Sequence, residues 1–403
     1  MSAYLGPVRT AIITFPFLAL VLALPFLVVV YRRYGAFSWW RAVVIYSFVF
    51  YLLSAYFLII LPLPSRAAVA QFTGPKYNLE PFMALRYFVH TTVFVPTNPH
   101  TWLAALKQSA FIQPFFNVVL TIPFGFYLRY YFKRSVPQII LMSFGLSLFF
   151  ELTQLSGLYG YYPRPYRLFD VDDLILNTTG GFLGGVFAPI LMRALPSRDI
   201  IDAKSQARGA RVTLARRFAA FIIDFFLFSG IIGVLIQILL HLLGLDQLPG
   251  FLGNYVLPLF FVFVLWPAFN QGQTLGKSLV RIKIVRTNGQ PIGFWRLFLR
   301  ESLLYGLALP SFMGLNYFFG EYFGAFHRTE INLAALGFFG LLSLLFLINF
   351  AWEIISRHHR FFYDAWTDTT QISTFPWLGY HEDRILGLEH KHVKEIHHYS
   401  CGR

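Results

Sequence analysis

About nine stretches of this chain run for roughly twenty apolar residues with few charges, and that pattern leaves few folds open. They lie at 9–31, 42–62, 110–132, 137–155, 172–193, 217–243, 253–271, 297–319 and 333–355. A helix needs about 20 such residues to cross the hydrocarbon core of a bilayer. Lipid offers no partner to a bare backbone group, so only helices and closed barrels span it. A barrel would show alternating segments of ~10 residues, and the sequence has none. The expected fold is all-α, a polytopic membrane bundle of about nine spans. Residues 11–30 follow Arg9 with no small-residue cleavage site after them, which predicts a retained first span rather than a signal peptide.

The net charge of +14, from 33 Lys and Arg against 19 Asp and Glu, has two readings. One is a nucleic-acid partner. The other is the concentration of Lys and Arg in cytoplasmic loops that sets membrane topology. The distribution favours the second, with the lipid bilayer as partner and no nucleic acid. Basic residues gather at 32–41, 129–134, 193–217, 277–300 and from 356 onward, while 241–254 and 319–332 are poor in them. Placing the basic set in the cytoplasm puts the N-terminus outside and the C-terminus inside. Arg9 and the long 63–108 loop, with Arg66, Lys76, Arg86 and Lys107, run against this assignment. Cys401 is the single cysteine, so no intramolecular disulfide forms. His381, His390, His392, His397 and His398 are too scattered to predict a metal site.

The polar, charged stretch 196–211 divides the chain. The expected organisation is a membrane domain at 1–195 with about five spans, a basic cytoplasmic linker at 196–211 and a second membrane domain at 212–375 with about four spans. A cytoplasmic insert falls near 277–296, where Asn288-Gly289 signals a hairpin turn, and a cytoplasmic tail occupies 376–403. The two domains are not repeats of one another.

In the first domain the chemistry concentrates between Glu151 and Gly185. Ionisable groups at membrane depth are costly and mark functional sites. Glu151 and Gln154 share a helix face, and Asp170, Asp173 and Asn177 form a stripe entering the fifth span. Asn117 lies mid-span in the third. A polar nest between the third, fourth and fifth spans is expected, lined by Asn117, Glu151, Gln154, Asp173 and Asn177. Arg164, Arg167, Asp170 and Asp172 occupy the adjoining loop. Each has a structural alternative: the asparagines as interhelical glue, Glu151 as the partner of Arg167, the loop acids as solvated groups. Gly180, Gly181, Gly184 and Gly185 hold two overlapping G-x-x-x-G spacings for close helix approach.

Asn78-Leu-Glu-Pro81-Phe82, Asn117 through Pro123-Phe-Gly125, Glu151-x-x-Gln154 and Arg167-Leu-Phe-Asp170-Val-Asp172-Asp173-Leu-Ile-Leu-Asn177 resemble the VanZ-like family. Glu80 stands where that family commonly has an apolar residue. The resemblance implies a role in lowering susceptibility to teicoplanin-type glycopeptides. Its expected partners are the glycopeptide antibiotic or an undecaprenyl-linked wall precursor at the outer face of a bacterial plasma membrane. Arg164 and Arg167 suit a carboxylate or phosphate on such a ligand, because the guanidinium fork binds both bidentately. An alternative is chemistry on a lipid-linked substrate, with Glu151 as candidate acid/base and a divalent cation at the Asp170–Asp173 loop. No nucleophile–base pair stands out, so the residues favour a protein that is not an enzyme and has no cofactor.

In the second domain Arg217 and Asp224 lie seven apart on one helix face, with Asp224 inside the span. Gln273-Thr-Leu-Gly276-Lys277 is not a P-loop, because Gln271 stands where the first glycine is required. These residues, with Asp364, resemble the RDD family, whose signature of one Arg and two Asp carries over to Arg217, Asp224 and Asp364. That resemblance implies, as the second reading of function, a transporter or cation/proton exchanger using Asp224. The structural alternative for Asp224 is an ion pair that locks helices. Oligomeric state is not legible in the sequence.

Overall fold

The computed structural model describes residues 2–245, 249–324, 329–356 and 360–375. The histidine-rich tail and Cys401 lie outside them. The described residues fall into two units. One comprises residues up to Leu22 together with Ser38–Ile201, and the other comprises Ala23–Phe37 and the described residues from Asp202 on. The first helix, α1 (Ser2–Tyr34), contributes to both.

The first unit adds four long helices and one short one. α2 (Trp39–Ile60) starts at Ser38, whose hydroxyl accepts from the Arg41 N–H, the usual service of a serine cap to an orphan donor. α3 (Met83–Thr91) is short. α4 (Ser109–Tyr130) and α5 (Val136–Leu155) follow, and a Ser135–Gln138 capping box sets the start of α5. A two-residue strand, β1 (Tyr77–Asn78), pairs in parallel with β2 (Phe169–Asp170) directly ahead of α6 (Val171–Met192). Further helical turns occupy 66–70 and 99–106, so the expected 63–108 loop contains helices and a strand between its irregular stretches.

α6 is wedged between α4 and α5, and its glycines make this possible. A Cβ on Gly180 or Gly184 would collide with the Val118 or Ile122 carbonyl of α4. On the next stripe, Gly181 and Gly185 meet Ser143 and Ile139 of α5. Lipid gives helices no hydrophobic reason to associate, so backbone approach and interhelical hydrogen bonds hold them. At one end of this unit the Trp40 indole donates to the Tyr130 hydroxyl (2.7 Å), which donates to the Pro196 carbonyl (2.8 Å).

The expected linker is helical, as α7 (Arg198–Gly209). The second unit then holds α8 (Leu214–Leu242), α9 (Leu252–Phe269), a short α10 (Leu275–Leu279), α11 (294–324), α12 (Glu330–Ser356) and a short α13 (Phe362–Trp366). π-Helical turns interrupt α8 at Ile223–Phe228 and α11 at Ser302–Ala308, beside the charged residues. Such turns often accompany functional sites. Tyr305 packs on Phe263 with ring centroids 4.1 Å apart and anchors the apolar core between α9 and α11.

Two expectations change. Eight described helices are long and apolar enough to cross a membrane, not nine. The remaining stretch, 297–319, is helical within α11, but charges at its start and Pro310, Gly314 and Asn316 beyond dilute its apolarity. The second change concerns the insert. β3 (Ile282–Arg286) turns at Asn288-Gly289 to a single bridge between Val285 and Pro291, and its full partner is the distant β4 (Thr369–Ser373), antiparallel. Burial decides this: Ile282, Ile284 and Val285 are buried, and a local hairpin alone is marginal in water.

The glycine wedge predicts that Gly184→Leu will abolish recovery of monodisperse protein in detergent. Gly145→Ala, where an added Cβ meets nothing within 4 Å, should leave recovery intact and raise stability by about 0.5–1 kcal/mol.

Candidate functional site

In the first unit the aspartates that open α6 are structural latches. Asp170 caps α6, accepting from the Asp172 N–H (2.9 Å) and from Asn78 Nδ2 (3.1 Å). Asp172 is buried and reaches back across the loop. Its Oδ1 accepts from the Phe82 N–H at 2.5 Å and its Oδ2 from the Ala84 N–H at 2.7 Å. A carboxylate at that place complements the helix dipole and the orphan donors of α3. Glu151, buried on α5, accepts from the Asp170 N–H at 3.0 Å. Asn117 donates to Asp173.

One turn deeper the net closes. Asn177 donates to Ser147 Oγ (2.9 Å), and Thr121 donates to the Asn177 carbonyl (2.7 Å). Gln154 donates to the Ile59 carbonyl (3.2 Å). Arg167 does not bond Glu151. Its guanidinium donates to the carbonyls of Ile59 (2.7 Å) and Leu61 (3.2 Å), where α2 ends. The expected nest residues are thus brought together on α4, α5 and α6, but their polar atoms mostly face one another. Nor do the aspartates converge on a cation. Their oxygens point to separate N–H groups and to two side-chain amides, and among the described residues no group of three His, Cys, Asp or Glu could hold a metal ion.

Open space lies beside the nest. A pocket of about 320 Å³ is formed by residues 71–75 and 164–168. Arg164 uses Nη2 on the Gly74 carbonyl at 2.6 Å, while its buried Nε has no partner. The buried Tyr166 hydroxyl also has none. Burial pushes the Tyr166 phenol up to about 12, against the opposing pull of Arg167. The pocket therefore offers donors and positive charge, and no carboxylate lines it.

In the second unit the polar residues form a buried ion network. Asp364 on α13 takes Arg217 of α8 on one oxygen. Its other oxygen accepts from Nε (3.0 Å) and Nη2 (2.8 Å) of Arg300 on α11. Arg300 also pairs with its neighbour Glu301 and lies over the Tyr363 ring at 4.9 Å. Burial alone would raise the Asp364 carboxyl, but the Arg300 and Arg217 guanidinium groups outweigh it and hold it below the usual carboxylate range. Asp224 is engaged elsewhere: one oxygen accepts from the Thr274 hydroxyl and the other from the Gly276 N–H at 2.6 Å. Thr274 in turn caps α10, accepting from the Lys277 N–H. A Cβ at Gly276 would run into the Ala220 carbonyl and the Asp224 carboxyl, which explains the glycine of the Gln273–Lys277 motif.

A family model described as VanZ/LLP1 matches residues 48–192, and one described as RDD family matches residues 211–368. The chain joins a VanZ/LLP1 module to an RDD module. No curated protein matches it, and no solved structure does. It is a multi-pass membrane protein built from helices.

Within the RDD module, the signature Arg217 and Asp364 meet directly, while Asp224 fastens α8 to α10. Sequence reasoning passes over Arg300 and Glu301, although two charges inside a predicted span are the kind of cost that demands partners. It also passes over Arg216, fully buried, which donates to the carbonyls of Val280 (2.7 Å), Arg281 (2.7 Å) and Gly209 (2.8 Å). Only its proximity to Arg217 in sequence hides it. In the VanZ/LLP1 module Ser147 and Thr121 are the additional members, and Tyr166 has no signal beyond its place between two arginines.

Two outcomes are expected. Asp172→Ala releases α3, so trypsin should cut at the exposed Arg86 faster than in the wild type. Asp364→Ala takes the shared acceptor from Arg217 and from Nε and Nη2 of Arg300, leaving Arg300 its pairing with Glu301, and should cost about 3–5 kcal/mol in detergent unfolding. Because the Asp364 pKa is depressed on folding, its contribution is complete above the unfolded carboxylate pKa of about 4 and is lost as pH falls toward the folded value. The acid limb of the stability profile should shrink in Asp364→Asn.

Proposed function

We propose that the VanZ/LLP1 module binds an anionic, membrane-level ligand at the outer face of a bacterial plasma membrane. The ligand class is a glycopeptide of the teicoplanin type or a lipid-linked cell-wall precursor, and binding lowers susceptibility to the drug. The observation that carries this reading is the pocket beside the nest, where Arg164 Nε and the Tyr166 hydroxyl are buried donors without partners. A buried unsatisfied donor costs about 1–3 kcal/mol, and a carboxylate or phosphate oxygen would remove that cost.

Position supports it. The pocket adjoins the end of α2 through Arg167, the opposite end of the unit from Arg41, Arg129, Lys133, Arg134 and Arg193. A charge bias of that kind marks the cytoplasmic side, which supports an outward pocket and, by helix alternation, an outward N-terminus. Glu151 serves the Asp170 N–H, and no catalytic role is assigned to it. The engagement of both Asp224 oxygens by α10 speaks for a structural role there over ion exchange.

In a susceptible bacterium expressing the protein, the wild type should raise the minimal inhibitory concentration of teicoplanin. Arg164→Ala and Tyr166→Phe, at membrane levels matched by immunoblot, should bring it back toward that of cells lacking the protein. Unchanged protection in both variants refutes the assignment.

A further inference from the structure

The RDD module contains a second cavity, of about 590 Å³, between α8, α11, α12 and α13. Its lining is of two kinds. Lys277, Glu301 and Gln371 are polar, and Leu304, Phe312 and Leu347 form an apolar wall. Glu301 is 2% exposed, and only its Oε1 is taken, by Arg300. Its Oε2 is buried without a hydrogen-bond partner, and so is Oε1 of Gln371. Among the described residues Lys277 forms no ion pair within 4.0 Å. Its ammonium lies 5.7 Å from the Phe263 ring.

We infer that this cavity holds one phospholipid with a primary ammonium headgroup, the ammonium donating to Glu301 and Gln371, the phosphate facing Lys277 and an acyl chain lying along the apolar wall. Two unsatisfied acceptors call for a donor-rich cation, and an ammonium carries three N–H bonds. A buried cation that makes no ion pair within 4.0 Å among the described residues can take an anionic group, so the complementary headgroup is zwitterionic. Length agrees as well. From Arg300 to Phe312 the helix rises about 18 Å, close to one leaflet of a ~30 Å core. A choline headgroup has no N–H to donate, and a glycerol headgroup brings no positive charge.

The test is native mass spectrometry of the delipidated full-length protein, titrated separately with dioleoyl phosphatidylethanolamine, phosphatidylcholine and phosphatidylglycerol. The ethanolamine lipid should bind at one site at least ~10-fold more tightly than the others, about 1.4 kcal/mol. Gln371→Leu, which leaves the ion network untouched, should erode that preference. Lys277→Met should weaken the ethanolamine and choline lipids together, and Leu347→Trp, at a half-exposed position of the apolar wall, should block it for all three. Equal affinity for the ethanolamine and choline lipids overturns the inference. So does a preference for phosphatidylglycerol, or an ethanolamine preference that survives both Gln371→Leu and Leu347→Trp.

Discussion

Buried carboxylates in this protein are used to hold helix starts, and much of the architecture depends on that use. Asp172 reaches the first N–H groups of α3, Asp224 reaches the start of α10, and Glu151 holds the N–H just ahead of α6. Each acid lies on or beside a membrane-spanning helix, and each bond ties that helix to a segment outside the spans. A charge withdrawn from water is tolerated only when its lone pairs are filled, and a helix start supplies orphan donors in a row. The two needs meet. The irregular segments gain a fixed seat on the bundle, and the acids gain partners that need no counter-ion.

Arginine performs the reciprocal service. Arg167 covers carbonyls where α2 ends, and Arg216 collects three carbonyls from the segments around β3 and α7. Five fixed donors on a planar head suit several acceptors at once. Glycine completes the arrangement by letting α6 lie against the α4 backbone. Once these demands are met, few polar atoms are left over. Those that remain unsatisfied at a cavity wall, on Arg164 and Tyr166 in one module and on Glu301 and Gln371 in the other, are therefore informative about ligands.

The helical membrane fold was legible because its signal is local: apolar runs of spanning length need no partner to be recognised. The grouping of Asn117, Glu151, Asp173 and Asn177 was legible for a similar reason, since periodicity places them on facing stripes. Pairing across sequence was not. Nothing near Arg167 announces that it serves α2 rather than Glu151, and nothing in Asn288-Gly289 reveals that β3 finds its main partner at Thr369–Ser373. The aspartates read as possible cation ligands because composition shows charge and not direction. The oxygens of Asp172 turned out to face N–H groups of a helix that the sequence presented as loop, and those of Asp170 and Asp173 side-chain amides and a helix-start N–H.

The place of Asp364 in the chain has a consequence for how the RDD module comes into being. Arg217 and Arg300 leave the ribosome before the short helix that neutralises them, and β3 leaves before the strand that pairs with it. Insertion of α8 and α11 therefore precedes the pairing of Arg217 and Arg300 with Asp364, which waits for the short helix after α12. The ion network and the β3–β4 ladder of this half thus close only when residues 361–375 are in place.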